Sequence, residues 1–232
     1  MPIINAFLSG LTGQPQYLVN TTYCEASTTS CAGSGTSVSG SLTMGPTFLD
    51  SGSQGNNISS NTIPKIIHNA LTTQGGLPTD SGAIYIVVTA PTVKVSGFCT
   101  SYCAFHTKSS TIVSGQTIHY ALAPEPDAKC TVCDGNFATF GQKVTPTGDA
   151  GADEVVDSLM HEISETVTDP NIDAWFTSNG EENGDLCNFN YGNNTLTAPN
   201  GATYNASWNG FQYLIQLIWK NGTTPQACAA AP

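Results

Sequence analysis

The chain has 232 residues, only 10% of them charged, and six Lys and Arg against 17 Asp and Glu give a net charge of −11 and a pI near 4.4. So acidic a surface repels a phosphate backbone and an anionic bilayer, which argues against nucleic acid and membrane as partners. No apolar run approaches the length that spans a bilayer, and since no linker divides the chain it reads as a single domain over residues 1–232.

Residues 2–11 read as a short amphipathic helix and 17–23 as an extended segment. A second helix is predicted over 60–73, capped by Ser60 or Asn61, with Ile63, Ile66, Ile67 and Leu71 as its apolar stripe. Residues 83–90, Ala-Ile-Tyr-Ile-Val-Val-Thr-Ala, form the clearest strand, and the unbroken β-branched run implies burial on both faces. Further strands are predicted at 93–98, at 116–123, which carries His119, and at 211–219. The stretches 27–41, 107–115 and 177–209, rich in Gly, Asn, Ser and Thr, read as loops. The pattern is that of an α+β domain with a mixed sheet and long loops.

The richest stretch is 157–170, Asp-Ser-Leu-Met-His-Glu-Ile-Ser-Glu-Thr-Val-Thr-Asp-Pro. At roughly 100° per residue, Val155, Val156, Leu159, Met160 and Ile163 share one arc of a helix, while His161, Glu162, Glu165 and Asp169 gather on the other. His161 and Glu165, one turn apart, can aim at one point. In the familiar zinc hydrolase pattern a second histidine stands where Glu165 does, and the glutamate after the first histidine is the general base. Solvated glutamates on a helix face are common, so this motif alone is weak. Pro170 ends the helix, and the acidic turn 181–187, Glu-Glu-Asn-Gly-Asp-Leu-Cys, can fold back to offer Asp185 as a third ligand.

Eight cysteines, an even count, suggest disulfides: Cys24 with Cys31, Cys187 with Cys228, and Cys99, Cys103, Cys130 and Cys133 paired across two segments with the connectivity open. A four-thiolate zinc site is the competing reading of the middle four, ranked lower because the chain looks extracellular. Sequons at Asn20, Asn57, Asn193, Asn205 and Asn221 point to an exported glycoprotein. Residues 1–5, Met-Pro-Ile-Ile-Asn, do not read as a secretory leader, which fits a mature form or another export route.

Several short motifs occur in a telling order: Ser-Gln-Gly at 53–55, Ala-Ile-Tyr-Ile-Val at 83–87, Phe98-Cys99 with Cys-Ala-Phe-His at 103–106, and Cys-Thr-Val-Cys at 130–133. After them come His-Glu-Ile-Ser-Glu at 161–165, Asp169-Pro170 with Ala174-Trp175, Gly-Asp-Leu-Cys at 184–187 and the stretch 211–219. Together they resemble the EXORDIUM-like, or phosphate-induced protein 1, family across essentially the whole chain. The resemblance implies an extracellular, cell-wall-associated protein with a zincin-like active-site helix. The family often has asparagine where Asp169 stands.

The family position of His106, beside Cys103, makes it a candidate ligand in place of Asp185 or beside it. The expected chemistry is that of a secreted metal-dependent hydrolase, a zinc metallopeptidase. His161, Glu165 and Asp185, His106 or both would hold Zn²⁺, or alternatively Mn²⁺ or Ca²⁺, and Glu162 would be the general base acting on a peptide or protein substrate. Filling all four positions would make the site structural. The rival is a non-catalytic, wall-polysaccharide-binding glycoprotein with a structural ion, stacking sugars on Trp175, Tyr191, Tyr204 and Trp208. His68 and His119 are assigned to surface or core.

Overall fold

Two apolar faces on one strand force a layer on each side of it. In the computed structural model, which describes residues 1–25, 36–127, 129–222 and 227–231, this is what surrounds the run at 84–89. Helix α1 (Pro2–Gly10) opens the chain, α2 (Ile63–Thr72) follows, and strands β1 (Ile84–Thr89), β2 (Phe105–Val113) and β3 (Gln116–Pro124) form a sheet of order β1-β3-β2. β1 runs parallel to β3 and β2 antiparallel to it. Helix α3 (Ala150–Thr168) crosses one face, α2 the other.

The side chains sort by parity. Ile84, Ile86 and Val88 meet α3 in one core with Val155, Val156, Leu159, Met160 and Ile163, where Ile4 and Phe7 of α1 also bury. Tyr85, Ile118, Tyr120 and Leu122 turn to α2, packing on Ile63 and Ile67. On the α3 side, β3 presents the fully buried Ala121 and Ala123, whose small size lets the helix approach the sheet. The 84–89 strand is therefore packed on both faces, as expected, with Tyr85 and Thr89 buried and the other four residues half-buried, and the chain is one α+β domain.

Several expectations need correction. The predicted loop at 107–115 is mostly strand, a hairpin arm turning at Gly115, whose φ of 77° suits glycine. Its Ser and Thr content suits an edge strand, half-exposed and rich in β-branched residues. The predicted extended segment 17–23 is a helical turn, Pro15–Leu18, and a 3₁₀ turn, Val19–Thr22, with Pro15 setting the first helical position. Of 93–98 only Lys94–Val95 pairs as strand, and the predicted helix 60–73 opens as a 3₁₀ turn, Ser60–Thr62, boxed by Ser59 and Thr62, before α2 begins at Ile63. The predicted loop at 27–41 lies largely outside the described residues.

The predicted strand 211–219 breaks into Phe211–Tyr213 and Ile218–Trp219. Between them the buried backbone donors go elsewhere: Ile215 N to Asn205 Oδ1, Gln216 N to Asp157 Oδ1 and Leu217 N to Asn190 O. Apolar patterning is blind to such partners.

Disulfides join Cys99 to Cys130, Cys103 to Cys133 and Cys187 to Cys228, so the middle four cross between segments and hold no thiolate zinc. The expected partner of Cys24, Cys31, lies outside the described residues. No described helix is long and apolar enough to cross a membrane.

Candidate metal centre

α3 begins at Asp149, whose carboxylate accepts from Ala152 N, and it ends before Asp169 and Pro170. Both of its faces are buried. The polar arc that could have been a solvated face lies under the sheet edge and the acidic turn, leaving Glu162 3% and Glu165 4% exposed. Buried carboxylates need partners.

Two imidazoles supply them. His161 Nε2 stands 3.0 Å from Glu165 Oε1 and 3.5 Å from Asp185 Oδ1. His106, on β2 opposite Ala121, points to the α3 side, with Nδ1 3.3 Å from Glu165 Oε2 and 3.4 Å from Glu162 Oε2. The residues named from sequence are thus brought together, as two overlapping sets, His161–Glu165–Asp185 and His106–Glu162–Glu165. His106 does not join the set of His161 and Asp185. Asp169 instead caps the turn after α3, its Oδ1 accepting from Asp173 N and Ala174 N.

Gly184 makes the closure possible, because a Cβ there would come within 2.8 Å of Glu165 Oε1 and 3.0 Å of His161 Cγ. With no side chain in the way, Asp185 N donates to Glu165 Oε1, and Asp185 Oδ2 accepts from Glu182 N. The turn is anchored from behind: Asn183 donates to Asn20 Oδ1, and Asn20 to Ser164 Oγ. Asn20 is therefore a buried clamp, and Asn205 likewise spends its amide on Tyr191 O and Ile215 O. Neither fits the surface-glycan reading of the sequons, whereas Asn57 and Asn193 are exposed.

Sequence reasoning passed over the groups that aim these side chains. Gln216 Nε2 donates to Gly184 O, which turns Oε1 to accept from His161 Nδ1 at 3.1 Å and leaves Nε2 facing Glu165 and Asp185. Gln216 is fixed in turn by Asp157, which also accepts from Tyr191 OH at 2.6 Å. The only signal was one polar residue inside the apolar run 213–219. Glu182 was in the acidic turn but not singled out, and its Oε2 lies 3.7 Å from His106 Nε2.

The donors fit a divalent cation by spacing and chemistry. Two ligands on a tetrahedral ion with bonds of about 2.0–2.1 Å lie about 3.3–3.4 Å apart, close to the imidazole–carboxylate separations of 3.0–3.5 Å in the two sets, all of whose donor atoms lie within 4.8 Å of one another. Buried His106 Nε2 and Glu162 Oε2 have no hydrogen-bond partner among the described residues. Electrostatics agree: burial lowers the affinity of His106 for a proton, yet Glu162, Glu165 and Glu182 raise its pKa to about 10. Burial would raise the Glu165 carboxyl, and His161 and His106 reverse this, holding it at about 2. Such a pocket attracts positive charge.

The model of the phosphate-induced protein 1 conserved region matches residues 2–231. The chain belongs to this family. It is similar to Protein EXORDIUM-like 3 of Arabidopsis thaliana, 30% identical over 190 residues, covering 73% of this chain and 56% of the relative. Protein EXORDIUM-like 5 of the same plant is 29% identical over 190 residues, covering 72% and 52%. Protein PHOSPHATE-INDUCED 1 of Nicotiana tabacum is 28% identical over 166 residues, covering 61% and 53%. The chain spans about half the length of these relatives. No solved structure matches.

In this family member the first set borders a cleft of about 390 Å³ lined by His161, Glu162, Asp185 and Asp157, walled by the disulfide-tied segment 99–104 and by Phe189. His106 and Glu165 lie behind that lining. Three of the four aromatics proposed for sugar stacking are structural: Trp175 is buried and donates to Cys24 O, Tyr191 is buried on Asp157, and Trp208 donates to Phe7 O and packs on Tyr213, while Tyr204 is half-buried. His68 is exposed and binds Ile112 O, while half-buried His119 lies 3.5 Å from Asn171.

Proposed function

We propose that the chain is a secreted metal-dependent hydrolase, a zinc metallopeptidase with a zincin-like active-site helix, its ion held by His161, Glu165 and Asp185 and its general base Glu162. The observation that carries this is that His161 and Asp185 of that donor set line the cleft, with Glu162 beside them on the same wall and Glu165 behind. A divalent cation there would polarise a scissile carbonyl and acidify a water. Nitrogen and oxygen donors at these spacings favour Zn²⁺ over Ca²⁺, which takes more oxygen ligands at longer range.

The chain's own residues do the rest. Gln216 holds His161 in the tautomer that leaves Nε2 free, and Asp185 N pins the Glu165 carboxylate. Glu162 takes a proton from the attacking water at its carboxylate and returns it to the leaving nitrogen. A peptide suits the cleft because the wall at 99–104 runs straight into β2, an edge strand with no sheet partner on its outer side among the described residues. Extended backbone pairs with such an edge. Secretion is supported by the three disulfides among the described residues, which persist in oxidising compartments.

The test is elemental analysis of the purified chain together with cleavage of an unbiased peptide library, with and without chelator. Chelator-sensitive cleavage is expected, and Glu162→Gln should keep the ion at His161 while losing turnover by about 10²–10⁴. A metal-loaded chain that leaves the library uncut would overturn the peptidase reading, and full turnover by Glu162→Gln would remove the assigned base.

A further inference from the structure

We propose that the centre is binuclear: a second divalent cation binds between His106 Nδ1, Glu162 Oε2 and Glu165 Oε2, with Glu165 bridging it to the ion of the His161–Glu165–Asp185 set. This rests on the preceding reading for the first ion and goes beyond it in number and ligands.

The division of Glu165 is the first argument. Its Oε1 faces His161 at 3.0 Å and its Oε2 faces His106 at 3.3 Å, so one carboxylate presents one oxygen to each donor set. A carboxylate shared in this way is how paired ions some 3.5–4 Å apart are held in two-metal hydrolases. The second argument is spacing. An imidazolium donating to carboxylates would draw them to about 2.7–2.9 Å. His106 Nδ1 instead stands 3.3 and 3.4 Å from two carboxylate oxygens, the edge lengths of a tetrahedral ligand set. The Glu162 Oε2 that closes this set is buried, with no hydrogen-bond partner among the described residues.

Each imidazole turns one nitrogen to its donor set: His161 keeps Nε2 on its set and Nδ1 on Gln216, while His106 keeps Nδ1 on its set and leaves Nε2 facing Glu182 Oε2 at 3.7 Å, an ion-pair neighbour beyond hydrogen-bond reach. Glu162 offers one oxygen to the second ion and still lines the cleft.

The experiment is Zn²⁺ titration by calorimetry of the full, disulfide-intact chain after chelation and dialysis, with zinc-edge X-ray absorption on the loaded protein. The wild type should take up two tight equivalents and show metal–metal scattering at about 3.5–4 Å. His106→Gln and His161→Gln should each fall to one equivalent and lose that scattering. One equivalent in wild type, kept by His106→Gln and lost by His161→Gln, overturns the second site and leaves the first standing. No tight uptake by wild type overturns both. Should either variant fail to fold, the wild-type stoichiometry and the absorption spectrum decide alone.

Discussion

Glu154 lies one helical turn before Ser158 on α3, 2% exposed, and neither of its carboxylate oxygens has a hydrogen-bond partner among the described residues. Burial, reinforced by Asp134 and Asp157, raises its pKa from 4.5 to about 9. A raised acid binds its proton in the folded chain before the unfolded one does, so its stabilising contribution is complete below pH 4.5 and is lost as pH rises towards about 9. Within that window the slope is about 1.4 kcal/mol per pH unit, and the roughly 2.5 units between 4.5 and pH 7 amount to about 3 kcal/mol. Glu154→Gln removes the titration while keeping the shape, and its amide can donate to the neighbouring carboxylates. Urea unfolding of both proteins from pH 5 to 8 should give similar stabilities at pH 5 and a variant more stable by several kcal/mol at pH 8. The comparison cancels the other carboxylates. Parallel curves across the range would refute the burial argument.

Gln216→Leu should leave the fold intact, since the backbone bond from residue 216 to Asp157 survives. It frees His161 from its tautomer, so Zn²⁺ affinity measured by chelator competition should weaken by about 10–100-fold, and unchanged affinity would remove Gln216 from the site. In a glycosylating host, peptide mass spectrometry should find glycan at the exposed Asn57 and Asn193 and none at Asn20 or Asn205, whose amides are engaged inside the protein. Glycan on Asn20 would mean that its clamp to Ser164 forms late or not at all.

The sequence by itself determined the local structure that periodicity and punctuation encode: the helix carrying His161, Glu162 and Glu165, its end at Pro170, the strand at 84–89 packed on both faces, and that the middle cysteines pair between their two segments, though not which with which. These depend on neighbours along the chain or on the redox logic of an even cysteine count. Tertiary structure decided the rest. Whether the polar arc of α3 met water or was buried depended on the Gly184 turn closing over it, a contact made across 20 residues between Glu165 and Asp185. The place of His106 depended on a residue parity that only strand pairing with Ala121 could set, just before the stretch 107–115 whose serines and threonines read as loop. Gln216, Asp157 and Tyr191 share no spacing along the chain, because hydrogen-bond partners brought together by packing carry no period.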